Sequence, residues 1–176
     1  MKNYVYIATS LDGFIADKEE TLDWLPAPTD DIDLEINFPE FIEMIDAIVM
    51  GKNTYKFVSG FGGEWPYTKP VFVVSNSIKE IPENLKEKVF LLKGPVKDIV
   101  ANIHSKGFKN LYIDGGKNIQ NFLQEELINE LIITIIPVML GEGIPLFSKL
   151  PNRLNYRCIS SKVSNGIVQN HYTKQL

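Results

Sequence analysis

Six short runs of apolar, largely β-branched or aromatic residues, at 4–8, 47–50, 71–75, 89–92, 111–114 and 131–137, limit what this chain can fold into more than any other feature. Most are apolar on both faces, the pattern of strands in a sheet covered from two sides. Between several of them lie helical patterns at 39–45, 54–58, 96–106 and 118–125. Asn37 stands before Pro39, where a helix start tolerates proline's missing N–H, and Gly107 ends the third helical pattern. Alternation of this kind calls for parallel strands joined by crossovers. The end of the chain departs from it: residues 155–162 and 167–174 flank Ser164-Asn165-Gly166, and Asn-Gly favours the tight turn of a hairpin. The expected fold is therefore α/β, with a mostly parallel central sheet and a C-terminal antiparallel hairpin. One domain is expected over residues 1–176, with 26–33 as a surface loop.

Composition narrows the function. A net charge of -4 argues against a nucleic-acid footprint, which shows as a basic excess or stripe. The single Cys158, in an apolar stretch, reads as a packed core residue and cannot form an internal disulfide. That makes a reducing compartment, the cytoplasm, the expected location. Residues 4–8 read as a first strand rather than a signal core, and the longest apolar stretch, 131–140, carries Thr134 and Pro137 and is too short to span a bilayer. No membrane association is expected. His104 and His171 are the only histidines, neither at a zinc-site spacing, so no metal is expected. The chain has no Gly-x-Gly-x-x-Gly fingerprint in a strand-to-helix setting, no phosphate loop ending in Gly-Lys-Ser/Thr, and no Gly-x-Ser-x-Gly elbow.

Three turns at strand ends remain: Met50-Gly51-Lys52-Asn53-Thr54, Val73-Val74-Ser75-Asn76-Ser77 and Ile113-Asp114-Gly115-Gly116-Lys117. Two of them open helices, so backbone N–H groups and a positive helix end would face whatever binds there. At the first, Lys52 adds charge and Thr54 a hydroxyl; an ordinary helix cap would look the same. Ser75 and Asn76 end a buried strand at the edge where open α/β sheets take ligands, and a plain turn explains them equally. Gly115-Gly116 removes bulk either for a pyrophosphate or for close helix–strand packing. Trp24, Phe61 and Trp65 read as walls of a substrate site or as packed aromatics.

As an ordered set these segments resemble the dihydrofolate-reductase-like superfamily and, within it, stand-alone proteins similar to the C-terminal reductase domain of the bifunctional riboflavin-biosynthesis deaminase–reductase. The resemblance covers almost the whole chain. It rests on Ala8-Thr9-Ser10-Leu11-Asp12-Gly13-Phe14-Ile15-Ala16, Asp46-Ala47-Ile48-Val49-Met50-Gly51-Lys52-Asn53-Thr54-Tyr55, Val73-Val74-Ser75-Asn76-Ser77, Asp114-Gly115-Gly116, and Ile136-Pro137-Val138-Met139-Leu140-Gly141-Glu142-Gly143-Ile144-Pro145-Leu146-Phe147. It implies the three-layer fold of that superfamily and a nicotinamide cofactor. Backbone groups at Ala8 and Ile15 would hold the carboxamide, and Gly51, Lys52, Asn53 and Thr54 would face the phosphates. Ser75 and Asn76 would lie near the adenosine ribose and any 2′-phosphate. Gly115, Gly116 and Lys117 would receive the pyrophosphate, with Asn118 and Ile119 behind them. Lys52 favours NADPH over NADH, because an added phosphate rewards a nearby cation.

The departures concern the substrate. The Trp-x-Leu-Pro segment of the folate enzymes is here Asp23-Trp24-Leu25-Pro26, one residue shorter, and Asp30, Asp31, Asp33 and Glu35 compete for the acidic role, with Asp31, Asp33 and Glu35 as the catalytic candidates. Ile119 stands where a tyrosine often follows the glycine pair, and the long sugar-phosphate-binding signature of the riboflavin reductase is not apparent. The resemblance implies an NADPH-dependent reductase passing hydride to a small heterocyclic or carbonyl-like substrate, similar to 5-amino-6-(5-phosphoribosylamino)uracil or to a pterin. The alternative is a nucleotide-binding module without efficient catalysis. A homodimer, with the C-terminal hairpin packed across a two-fold axis, is expected.

Overall fold

The structure, a computed structural model, describes residues 1–26 and 32–175. Its elements follow the expected alternation: β1 (Lys2–Ser10), β2 (Phe14–Asp17), α1 (Phe38–Met44), β3 (Ala47–Gly51), α2 (Lys52–Gly60), β4 (Val71–Val74), β5 (Val89–Leu92), α3 (Val96–Ser105), β6 (Asn110–Asp114), α4 (Gly116–Gln124), β7 (Glu130–Ile136), β8 (Gly143–Pro145), β9 (Tyr156–Ser164) and β10 (Ile167–Lys174). The main sheet has the order β5-β4-β3-β6-β1-β7-β10-β9. Its first six strands are parallel, and the β9–β10 hairpin adds the two antiparallel ones. Asn165 and Gly166 both take positive φ at the hairpin turn, which is why Asn-Gly stands there. The fold is the mostly parallel, three-layer α/β arrangement that the sequence implies.

Side chains alternate between two cores across this sheet. Val5, Val49, Leu111, Ile113 and Leu131 join α3 and α4 on one face, through Ile103, Ile119 and Phe122. Tyr4, Ile48, Met50, Tyr112 and Ile132 meet Phe41 of α1 and Tyr55 of α2 on the other. Strands with both faces covered can be apolar throughout, which accounts for the runs in the sequence. The start of α1 is set by a capping box: Asn37 Oδ1 accepts from Glu40 N at 3.0 Å, and Asn37 N donates to Glu40 Oε2 at 3.2 Å. With the cap fixed, Phe41 is fully buried while Phe38 stays 41% exposed at the rim of the site described below.

The hairpin is locked to the sheet at the end away from the site. The buried Glu130 on β7 accepts from Lys2 Nζ at 2.6 Å and Thr173 Oγ1 at 3.3 Å, and lies 3.1 Å from His171 Nε2. Lys109 N and Asn110 N donate to Asp46 Oδ2 at 2.7 and 2.8 Å, tying the start of β3 to β6. The Asn110 and Lys109 amides hold the Asp46 carboxyl below its usual range.

Two features differ from the sequence reading. Cys158 is exposed, not packed. It lies on β9, which has a strand on one side only, between the exposed Arg157 and Ile159. A small second sheet pairs β2 with β8, and Leu11 N donates to Val138 O at 2.7 Å beneath it. Three-residue β8 is too short to show a period in sequence.

Candidate functional site

The carboxyl ends of β1, β3, β4 and β6 open into one cleft of about 900 Å³. Parallel strands bring their following loops to the same edge, so the three turns meet although they are far apart in sequence. Gly51, Lys52, Asn53 and Thr54 line the cleft, as do Ser75 and Asn76, and Gly115, Gly116, Lys117 and Asn118. Ala8 and Ile15 line it from β1 and β2. Ile119 is fully buried in the core behind it and does not line it.

The starts of α2 and α4 are its polar wall. Neither N-cap residue, Gly51 or Gly115, has a side chain to bond the first helical amides. Those N–H groups and two positive helix ends are therefore left for a ligand, with Lys52 and Lys117 beside them. Gly115 has φ +87°, and a Cβ there would lie 2.2 Å from Thr54 Oγ1. Gly115 thus allows the two helix starts to pack closely, and a Cβ on Gly116 would lie 2.5 Å from Ile15 Cδ1, so the second glycine allows close packing against β2. Asn118 fixes the arrangement from below: its buried Nδ2 donates to Val49 O at 2.9 Å and to Asp114 O at 3.3 Å. Ser75 Oγ accepts from Ser77 N and Ile78 N at 3.2 and 3.1 Å, shaping the turn after β4.

The loop between β1 and β2 is braced by its own hydrogen bonds and by the 138–141 turn. Ser10 Oγ accepts from Phe14 N at 2.9 Å and donates to Asp12 Oδ1 at 2.6 Å. Asp12 in turn accepts from Leu140 N and Gly141 N at 3.2 and 2.8 Å, so the 138–141 turn is held to it. The Ser10 hydroxyl and these amides keep the Asp12 carboxyl below its ordinary value. Gln120 Nε2 donates to Pro145 O at 2.8 Å, fixing β8 to α4.

Much of the remaining lining is apolar. Leu22, Leu25, Phe38, Phe57, Phe61 and Tyr67 together make up this apolar wall. Phe57 and Phe61 meet edge to face at 4.6 Å between centroids, yet remain 47% and 71% exposed. Of the aromatics singled out in sequence, only Phe61 lines the cleft. Trp65 packs behind Tyr67, at 5.6 Å, and against Tyr55. Trp24 borders a separate, smaller cavity of about 400 Å³ with Ile32, Ile136 and Ile167.

Among the described residues two carboxyl groups line the cleft, Glu20 and Asp114, and Asp114 stands out in sequence only as part of a motif, not as a site residue. Asp114 ends β6 and lines the cleft, with Oδ1 accepting from Gly115 N at 2.8 Å. Burial raises its pKa, against the opposing pull of the nearby Tyr112 hydroxyl and the Gly115 amide. Burial also pushes the nearby Tyr67 and Tyr112 phenols up, and the Asp114 charge adds to both. The adjoining Gly-Gly is the one sequence signal that would have pointed to it. The other acidic candidates lie elsewhere. Asp33 pairs with Lys162 Nζ at 2.7 Å, Glu35 is exposed and does not line the cleft, and Asp30 and Asp31 lie outside the described residues. Among the described residues no group of three His, Cys, Asp or Glu side chains is placed to hold a metal, and no helix is long and apolar enough to cross a membrane.

Comparison with known proteins agrees with this architecture. The family model of the RibD C-terminal domain matches residues 4–169. A putative riboflavin biosynthesis protein from Shewanella sp. PV-4 is 47% identical, with both chains covered in full and a TM-score of 0.92. The diaminohydroxyphosphoribosylaminopyrimidine deaminase/5-amino-6-(5-phosphoribosylamino)uracil reductase of Thermotoga maritima is 13% identical, covering 99% of this chain and 56% of that one at a TM-score of 0.74. Dihydrofolate reductase from Enterococcus faecalis, in a complex with NADP(H), is 15% identical, covering 99% and 97% of the two chains at a TM-score of 0.68. The last two are likenesses of fold.

Proposed function

Because this chain belongs to the RibD C-terminal domain family, we propose that it is a cytoplasmic, NADPH-dependent reductase acting on a small molecule in the cleft at the carboxyl edge of its sheet. The observation that carries this reading is the convergence of two helix starts without capping side chains, at residues 51–54 and 115–117, on one cleft with Lys52 and Lys117 at its rim. The residues fit a dinucleotide: amides and cations for its phosphates, Ser75 and Asn76 for its adenosine end, Ala8 and Ile15 beside its nicotinamide. Reduced nicotinamide, when bound, supplies a hydride.

The chain's own part is positioning, water exclusion and proton delivery. Asn118 holds the two phosphate-facing turns in register through β3 and β6. Ile15 and the apolar wall keep water from the reacting face. Asp114 keeps its proton to higher pH than an ordinary carboxyl, and it lines the cleft. We assign it the role of proton donor to the substrate's heteroatom, a role the sequence left open among Asp31, Asp33 and Glu35. Lys52 sets the preference for NADPH over NADH.

Isothermal calorimetry with NADPH and NADH, followed by absorbance at the reduced-nicotinamide band with a panel of pterins, pyrimidines, quinones and aldehydes, tests this. Tighter binding of NADPH and oxidation with one acceptor class are expected. Tight binding without turnover on any acceptor would favour the non-catalytic module. The homodimer is proposed at β9, the hairpin's open edge, where Ile159 and Val163 are exposed; light scattering should then give twice the 20.0 kDa chain mass.

A further inference from the structure

Building on the reductase reading above, we propose that the hydride acceptor is an unphosphorylated, uncharged molecule with an aromatic or flat apolar substituent, rather than a sugar-phosphate conjugate. Charge and exposed apolar surface in the cleft point to this. Among the described lining residues the only cations are Lys52 and Lys117, and both stand at the helix starts that the cofactor phosphates would occupy. The undescribed residues 27–31, Ala-Pro-Thr-Asp-Asp, contain no cation either. The acidic lining residues are Asp114 and Glu20. A phosphate carried by the acceptor would thus meet apolar wall and carboxyl groups, with no Arg or Lys left to pair it.

What that wall offers is aromatic area. Phe38, Phe57 and Phe61 are large apolar side chains left well exposed, and all three line this cleft together with Leu22, Leu25 and Tyr67. They come from the loop after β2, from α1, and from α2 with the loop that follows it, so sequence adjacency does not explain the cluster. Large exposed apolar groups gathered in a concave site mark ligand contact, and an edge-to-face pair such as Phe57–Phe61 presents ring faces for a third aromatic to stack on. Reduction of a C=N or C=O bond in such an acceptor balances simply. Bound reduced nicotinamide would supply the hydride to carbon, Asp114 would give its proton to nitrogen or oxygen, and the carboxylate would regain a proton from water.

The test uses the full chain with NADPH present and two binding probes that share one heterocycle, 5-amino-6-(5-phosphoribosylamino)uracil and 5-amino-6-(benzylamino)uracil. Calorimetry should find the benzyl compound bound at least roughly tenfold more tightly. Phe57→Ala and Phe61→Ala, at exposed positions, should each weaken the benzyl compound about five- to tenfold while leaving NADPH affinity unchanged. Phe61→Lys should narrow or reverse the preference by giving the phosphate a cation. Equal or tighter binding of the phosphoribosyl compound to the unaltered chain overturns the proposal, as does failure of both probes to bind when NADPH does. Failure of NADPH itself to bind would instead remove the reductase reading on which the proposal rests.

Discussion

The two walls of the cleft are built on opposite principles. The polar wall is made of backbone: amides at the starts of α2 and α4, held in place by Asn118 and by Gly115, which lets the helix starts approach. Its geometry is fixed by the sheet, because β3 and β6 are adjacent and parallel and deliver both helices to one edge. The apolar wall is made of exposed side chains on elements that share no strand pairing with one another. A wall of amides does not depend on side-chain identity, whereas a wall of side chains can be changed one residue at a time without disturbing the fold. On this view the cofactor half is constrained by folding, and the acceptor half is where specificity is written.

The contrast breaks most visibly at Gly115. Gly115→Val puts a β-carbon into Thr54 at a positive φ, so we expect a loss of about 2–4 kcal/mol, a Tm lower by roughly 5–15 °C and dinucleotide binding below detection. Pairing it with Thr54→Ala should recover part of the stability in a double-mutant cycle, because the collision is with that side chain. Asp114→Asn comes next. Turnover should fall about 100-fold with NADPH affinity little changed. In the unaltered chain turnover should decline as pH rises through the raised pKa of Asp114, and that limb should vanish in the variant. The same shift has a stability consequence. A carboxyl raised on folding contributes fully below its unfolded value and loses that contribution as pH rises through its folded one, so Asp114→Asn should match or exceed the parent's Tm at neutral pH.

Smaller effects sharpen the comparison. Lys52→Ala should weaken NADPH roughly tenfold and NADH less, since the extra phosphate is what the cation distinguishes. Phe61→Ser should leave both the cofactor affinity and the unfolding free energy within about 0.5 kcal/mol of the parent, because the ring is 71% exposed. A cofactor effect at Phe61, or none at Lys52, would mean that the two walls do not divide the ligands as drawn.

The same division governs what could be read from sequence. The strands were legible because burial on both faces leaves uninterrupted apolar runs such as 47–50 and 111–114, and the turns were legible because glycines, or in 75–77 small polar residues, punctuate them. The helix expected at 54–58 extends over Lys52–Gly60, since α2 starts directly from β3 on a glycine cap that gives no polar N-cap signal. Cys158 misled because an edge strand carries the same residue types as an inner one while one side of it stays open. Phe38, Phe57 and Tyr67 were not legible as lining residues: they meet only through tertiary structure, and an exposed aromatic looks like a core aromatic in a sequence. Trp65, which in sequence fits a wall residue or a packed aromatic equally, is the latter and packs against Tyr67.

A dinucleotide lying across the starts of α2 and α4 is the premise of every role proposed for the cleft. Titrating NADPH into nitrogen-15-labelled protein and following the backbone amides measures this directly. Saturable shifts concentrated at residues 51–54 and 115–117 are expected, with the Phe57 and Phe61 amides moving less. Saturable shifts elsewhere, or none at any residue up to millimolar NADPH, would contradict that premise.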